Sequence, residues 1–115
     1  MTAYALARLL PTEPHPDVIT YLERIQGTFA PYGGRFLIHG AQQVEVVEGA
    51  WEGDVVMVAF PDLDAARAWY ASDAYQEILP LRTRHIPGDL IFLPGVPEDY
   101  DASGLAAKLR ANLPA

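Results

Sequence analysis

The sequence predicts an α+β domain in which strand, helix, strand, strand, helix and strand follow one another, with a short helix after the last strand. Three observations carry this order. Apolar residues alternate near the N terminus, an apolar stripe recurs at helical spacing after Pro16, and an almost unbroken β-branched run extends from Asp54 to Phe60 and closes at Pro61. With 115 residues, 50% hydrophobic and 20% charged, the chain is about one ordinary domain and has apolar residues enough for a packed core.

From Ala3 to Leu10, residues Tyr4, Leu6, Arg8 and Leu10 fall on one side and Ala3, Ala5, Ala7 and Leu9 on the other, the period of a strand. The small alanine side suits a helix packed close against it. Pro11, Pro14 and Pro16 end the strand, and Pro16 fits the first helical turn, where its missing N–H would have had no partner. Val18, Tyr21, Leu22, Ile25 and Phe29 then form one apolar stripe, with Asp17 complementing the helix dipole. Pro31 stops this helix, and Gly33-Gly34 reads as the turn into the second strand, because glycine tolerates positive φ.

The second strand is expected from Arg35 to His39, broken near Gly40 by a bulge or bend and resumed from Gln43 to Glu48. Gly49 to Gly53, with Trp51, forms the hairpin loop. Asp54 to Phe60 is apolar on both sides, as befits a central strand covered on both faces. Asp62 caps a second helix with Leu63, Ala66 and Tyr70 on one face, and Ser72 caps a further helical segment from Asp73 to Leu79, which Pro80 ends or kinks. His85 to Leu93, entered irregularly through Pro87-Gly88, is the last strand. Pro94 to Ser103 reads as a linker and Leu105 to Leu113 as an amphipathic helix. Residues 1–95 thus form the domain and 96–115 a linker and helical tail.

This order is that of a ferredoxin-like βαββαβ fold, an antiparallel sheet with helices on one face. Strands apolar on both sides leave the other face in need of a cover, since contiguous exposed apolar patches mark interaction sites. Two such sheets placed face to face in a homodimer, a dimeric α/β barrel, bury both and enclose a space between them.

The net charge of −7 and the absence of a basic stripe argue against a nucleic-acid partner. No apolar run approaches the roughly 18 residues of a membrane span, and the N terminus lacks a basic segment and a cleavage site, so the expected location is cytoplasmic. Without cysteine there are no disulfides, thiolate nucleophiles or iron–sulfur ligands. His15, His39 and His85 show no i, i+4 pairing, so neither a metal nor another cofactor is expected.

Several segments together resemble the DUF1330 family of the dimeric α/β-barrel superfamily. They are Tyr32-Gly33-Gly34-Arg35-Phe36-Leu37, Val47-Glu48-Gly49, Phe60-Pro61-Asp62, the run from Ala65 to Tyr75, and Leu79-Pro80-Leu81-Arg82. The resemblance spans roughly residues 3 to 95 and implies the ferredoxin-like fold and the dimer. It implies no defined reaction, although the superfamily includes cofactor-free monooxygenases and isomerases. The family often places arginine where His39 stands and glutamate where Ala59 stands, which weakens an acid–base role carried over from relatives.

Arg35 and Arg82 are the candidate substrate-binding cations, since a guanidinium offers a planar fork to a carboxylate or enolate; the competing reading pairs either with Glu48 as a structural ion pair. Glu48 is a candidate general base if burial raises its pKa, and His39 and His85 are candidate proton shuttles on strands. His39 and Glu48 are therefore the catalytic candidates. Tyr4, Trp69, Tyr70 and His85 complete the candidate substrate-binding set, although Trp69 and Tyr70 equally fit a core helix face. The expected function is binding of a small carboxylate or phenolic molecule in the barrel, as a cofactor-free oxygenase or isomerase; the alternative is a non-catalytic structural dimer.

Overall fold

The computed structural model describes residues 1–10, 12–40 and 44–114. Its elements are β1 (Ala3–Leu9), α1 (Pro16–Phe29), β2 (Arg35–His39), β3 (Asp54–Phe60), α2 (Leu63–Ala71), α3 (Asp73–Thr83), β4 (Gly88–Pro94) and α4 (Ser103–Ala111). The strands form one four-stranded sheet in the order β2-β3-β1-β4, every pairing antiparallel. This is the expected ferredoxin-like architecture.

β1 is the pivot, pairing Ala3 with Phe60 and Pro94 at one end and Leu9 with Asp54 and Gly88 at the other. Its alanine side faces the helices, with Ala3 and Ala5 buried, and the absent side-chain bulk lets the helical layer sit close. Phe29, the last residue of α1, is fully buried and meets Phe36, Phe60 and Trp69 edge-on, with ring centroids 4.9, 6.4 and 6.2 Å away. Such edge-on contacts suit the aromatic quadrupoles. The chain leaves α1 through a short 3₁₀ turn at Ala30–Tyr32 and Gly33, whose φ is +76°. Gly34 follows because a Cβ there would stand 2.9 Å from both the Phe29 and Phe60 rings.

Three expectations change and one, the irregularity near Gly40, gains a second feature. The irregularity near Gly40 is accompanied by a bulge inside β2: Phe36 pairs with Val58 and Ile38 with Met57, leaving Leu37 as the extra residue. The extra residue resets the alternation, so Phe36 and His39 share the helix side and their rings stack at 4.2 Å. Val44 to Glu48 does not resume the strand but lies in a loop, while Gln43 falls outside the described residues. Gly49 (φ +75°) and Gly53 (φ +102°) turn the chain there, and among the described residues no strand pairs with β3 outward of Asp54. α3 does not end at Leu79. It passes through Pro80 to Thr83, because proline removes one N–H near the C-terminal end while Arg84 N–H still bonds Pro80 O at 3.2 Å. Finally, β4 starts at Gly88 rather than His85, since the His85 and Ile86 N–H groups both bond back to Arg82 O and cap α3.

Opposite the helices the sheet has no helix over it among the described residues, although Trp51 of the β2–β3 loop stands beside Leu6, Arg8 and Ile91 at its Leu9 end. Leu6, Met57, Ile38, Ile91 and Leu93 point there by register, and Ile38, Ile91 and Leu93 are exposed.

Phe29→Ala should destabilise the fold by about 3–5 kcal/mol, because it empties the point where three other aromatics meet. Urea denaturation followed by tryptophan fluorescence measures this directly, and a loss below about 1 kcal/mol would mean that the aromatic layer closes without Phe29.

Candidate functional site

The site builds up from the face that the helices cover. Between the sheet and α1 and α3 lies a cavity of about 80 Å³, walled by Ala7, Leu9, Val56 and Val58 from the strands and by Val18, Leu22 and Ile25 from α1. These side chains are apolar because they continue the strand alternation and the α1 stripe that built the core. The cavity lies within one chain, on the helix side of the sheet and not on the bare face where an inter-sheet space is expected.

Four residues give this apolar cavity polar character: Tyr21, Tyr75, Arg82 and His39. The Tyr21 and Tyr75 hydroxyls are 2.9 Å apart and share one hydrogen bond across α1 and α3. The Arg82 guanidinium lies over the Tyr21 ring, 5.7 Å from its centre, a cation–π placement. Burial, reinforced by the neighbouring Tyr75, pushes the Tyr21 hydroxyl above its ordinary range against the pull of Arg82, so it keeps its proton at any working pH. Burial works against the charge of Arg82, but Tyr21 and Tyr75 outweigh it and the guanidinium stays charged. The passage of α3 through Pro80 carries Arg82 to this wall, and the β2 bulge turns His39 toward the same cavity.

Trp69 also lines the cavity, but its indole N–H donates to Thr28 Oγ1 at 3.0 Å, and Thr28 donates onward to Ile25 O at 2.6 Å. That chain of bonds makes Trp69 a wall held in place. Tyr70 lines a neighbouring, more open cleft of about 320 Å³ between α3 and β4, which Arg82 also borders.

The other candidates lie elsewhere. Arg35 is exposed and pairs with Ala59 on the bare side, beside a surface hollow that includes Thr2 and Pro61. Tyr4, also on the bare side, is half-buried with its ring against Gly95. Glu48 is exposed in the β2–β3 loop. Among the described residues, neither Arg35 nor Arg82 forms an ion pair with Glu48 or any other carboxylate.

His85 belongs to a second cluster that sequence spacing conceals. It lies in the α3–β4 connection, where its Nε2 donates to Asp17 Oδ2 at 2.9 Å and its ring stacks on His15 at 3.7 Å. His15 is the N-cap of α1, its Nδ1 accepting from Asp17 N–H at 3.0 Å. The three residues carry metal-ligating groups within 4.8 Å of one another. However, the His15 lone pair is committed to the cap and the Asp17 carboxylate to His85, so the cluster reads as a clasp between the start of α1 and the end of α3. The hydrogen bond from His85 holds the Asp17 carboxyl below its ordinary value against the opposing effect of burial, with smaller contributions from the neighbouring His15, His85 and Arg84.

The family DUF1330, a domain of unknown function, matches residues 2–96, and the chain belongs to it. No curated protein matches the sequence. Among solved structures, the chain is similar to RPA0582, a protein of unknown function from Rhodopseudomonas palustris, at 17% identity over 84% of this chain and 83% of that one, with a TM-score of 0.63. It is similar to a dimeric ferredoxin-like protein of unknown function from Jannaschia sp. CCS1, at 12% identity over 83% and 100% of the two chains, with a TM-score of 0.63. It is also similar to SnoaB, a cofactor-independent oxygenase from Streptomyces nogalater, at 13% identity over 87% and 98% of the two chains, with a TM-score of 0.57. At these identities the likeness is one of fold. No helix of the described residues is long and apolar enough to cross a membrane.

A carboxylate with a lowered folded-state pKa contributes stability above its unfolded value and loses it as pH falls through the folded value. Asp17→Asn should therefore be less stable than the wild type at neutral pH, and the gap should close as pH falls below the ordinary aspartate value of 3.8. Urea midpoints of both proteins from about pH 6 to about pH 2 test this, and a gap that does not change with pH would show that the clasp owes nothing to the carboxylate charge.

Proposed function

We propose that the cavity binds a small, largely apolar organic molecule bearing one anionic oxygen, either a carboxylate or the anion of a phenol or enol. The observation that carries this reading is Arg82, a charged guanidinium at the wall of an apolar cavity with no carboxylate partner among the described residues. No carboxylate among the described residues neutralises that cation, so an incoming anion gains a charge-assisted bond. Of the Tyr21 and Tyr75 hydroxyls, the one that accepts their shared hydrogen bond has its own O–H left to donate to the same oxygen, and the apolar walls select for a compact hydrocarbon or aromatic body.

The same arrangement supports proton abstraction from an acidic phenol or enol. Arg82 and the tyrosines stabilise the developing oxyanion, and His39, the titratable group on the cavity's β2 side, takes the proton. A resonance-stabilised anion of this kind is the starting point for cofactor-free oxygenation or isomerisation, and the fold shared with SnoaB supports that chemistry by analogy only. Arg35, Tyr4 and Glu48 have no part in this step. The bare sheet face supports a homodimer, as does the dimeric ferredoxin-like relative.

One observation favours the non-catalytic alternative. No buried side-chain nitrogen or oxygen among the described residues lacks a partner, so the tyrosine pair can be complete as a structural link between α1 and α3.

Thermal denaturation against small carboxylates, phenols, quinols and lactones separates the readings. A ligand at about 100 times its Kd should add roughly 2.7 kcal/mol, several degrees in a domain of this size. The expected result is a shift for anionic or acidic oxygens in the wild type and in Arg35→Ala, but not in Arg82→Met. No shift with any class, together with a lower unliganded midpoint for Arg82→Met, would make Arg82 structural and favour the non-catalytic dimer.

A further inference from the structure

We propose that residues 96–114 form an arm with which each copy of the chain grips a second copy, α4 docking on that copy's β2–β3 loop at residues 44–52. The inference rests on the homodimer reading and adds to it a specific contact outside the sheet faces.

The arm has no cover among the described residues of its own chain. Every residue from 96 to 114 is exposed, and the radius of gyration, 17.3 Å, exceeds the roughly 13 Å of a compact chain of this size because the arm reaches outward. Leu105 and Leu109 on α4 and Leu113 just beyond it recur every four residues along one side and are 50%, 60% and 69% exposed. A helix of nine residues is marginal by itself even with Asp101 Oδ1 accepting from Ser103 N–H at 2.8 Å, since isolated helices shorter than about 12 residues rarely persist in water. It needs a surface for its leucines.

The β2–β3 loop is the matching surface. Val44, Val46, Val47 and Trp51 are exposed there, Val47 by 87%. Between them stand Glu45, Glu48 and Glu52 with no basic residue, whereas residues 103–114 carry Lys108 and Arg110 with no acidic one. Apolar groups therefore meet apolar groups, and the basic helix meets an acidic loop in a chain of net charge −7.

Strand register shows why the partner is a second copy. The arm departs from β4 at Pro94, opposite Ala3, whereas the loop enters β3 at Asp54, opposite Leu9. Arm and loop thus belong to opposite ends of the strands in one chain. A two-fold pairing of the bare faces about an axis across the strands brings the Ala3 end of one sheet over the Leu9 end of the other.

The chain has no cysteine, so disulfide trapping has no background. Leu109→Cys and Val47→Cys proteins, mixed and oxidised, should give a covalent heterodimer, whereas Leu109→Cys mixed with Arg67→Cys, on the exposed side of α2, should not. In sedimentation experiments Lys108→Glu/Arg110→Glu should weaken the dimer, and Glu45→Lys/Glu48→Lys in the same chain should restore it. Leu105→Asp/Leu109→Asp should raise the dimer Kd by about tenfold or more. A wild-type dimer with neither trapping nor any effect of these arm substitutions overturns the arm and leaves the sheet-face dimer standing. A monomeric wild type overturns both, and so does capture by another protein or a lipid surface without self-association.

Discussion

Strands that are apolar on both sides, in a domain whose packed helices cover one side only, pose a problem that shapes the rest of the molecule. On the covered side, alanines in β1 bring the helical layer close, and the aromatic residues around Phe29 fill the space between. The fit is incomplete near Tyr21 and Arg82, and the cavity lies there. On the other side Ile38, Ile91 and Leu93 stay in water until something covers them.

Two local departures from regularity supply two of the cavity's four polar groups, His39 and Arg82. A β2 without its bulge would turn His39 to the bare face, because it lies three positions on from Phe36 and alternation would place them on opposite sides. An α3 ending at Leu79 would not carry Arg82 into the helical wall. The irregularities cost regular hydrogen bonding and gain side-chain placement, a common association at functional sites.

The sites differed in how far the sequence disclosed them. Arg82 and His39 were recognisable from residue chemistry, but so were Arg35 and Glu48, which the fold places away from the cavity. Tyr21 and Tyr75 read as core residues, and nothing local reveals that their hydroxyls meet across 54 positions. The His15–Asp17–His85 clasp was hidden for the same reason, its partners being 68 residues apart, although a histidine just before Pro16 at a helix start was a faint signal of the cap.

Periodicity and punctuation determined the order of elements, because helical and strand spacing are local properties and Pro61, Asp62, Ser72 and the Gly33-Gly34 pair mark boundaries by their own backbone chemistry. They also determined that one sheet face would be left without helices over it. Tertiary structure alone decided where β2 bulges, how far α3 runs past Pro80, and which candidates share a cavity. Those outcomes depend on register with β3 and on packing between α1 and α3, energies that arise only when distant segments touch.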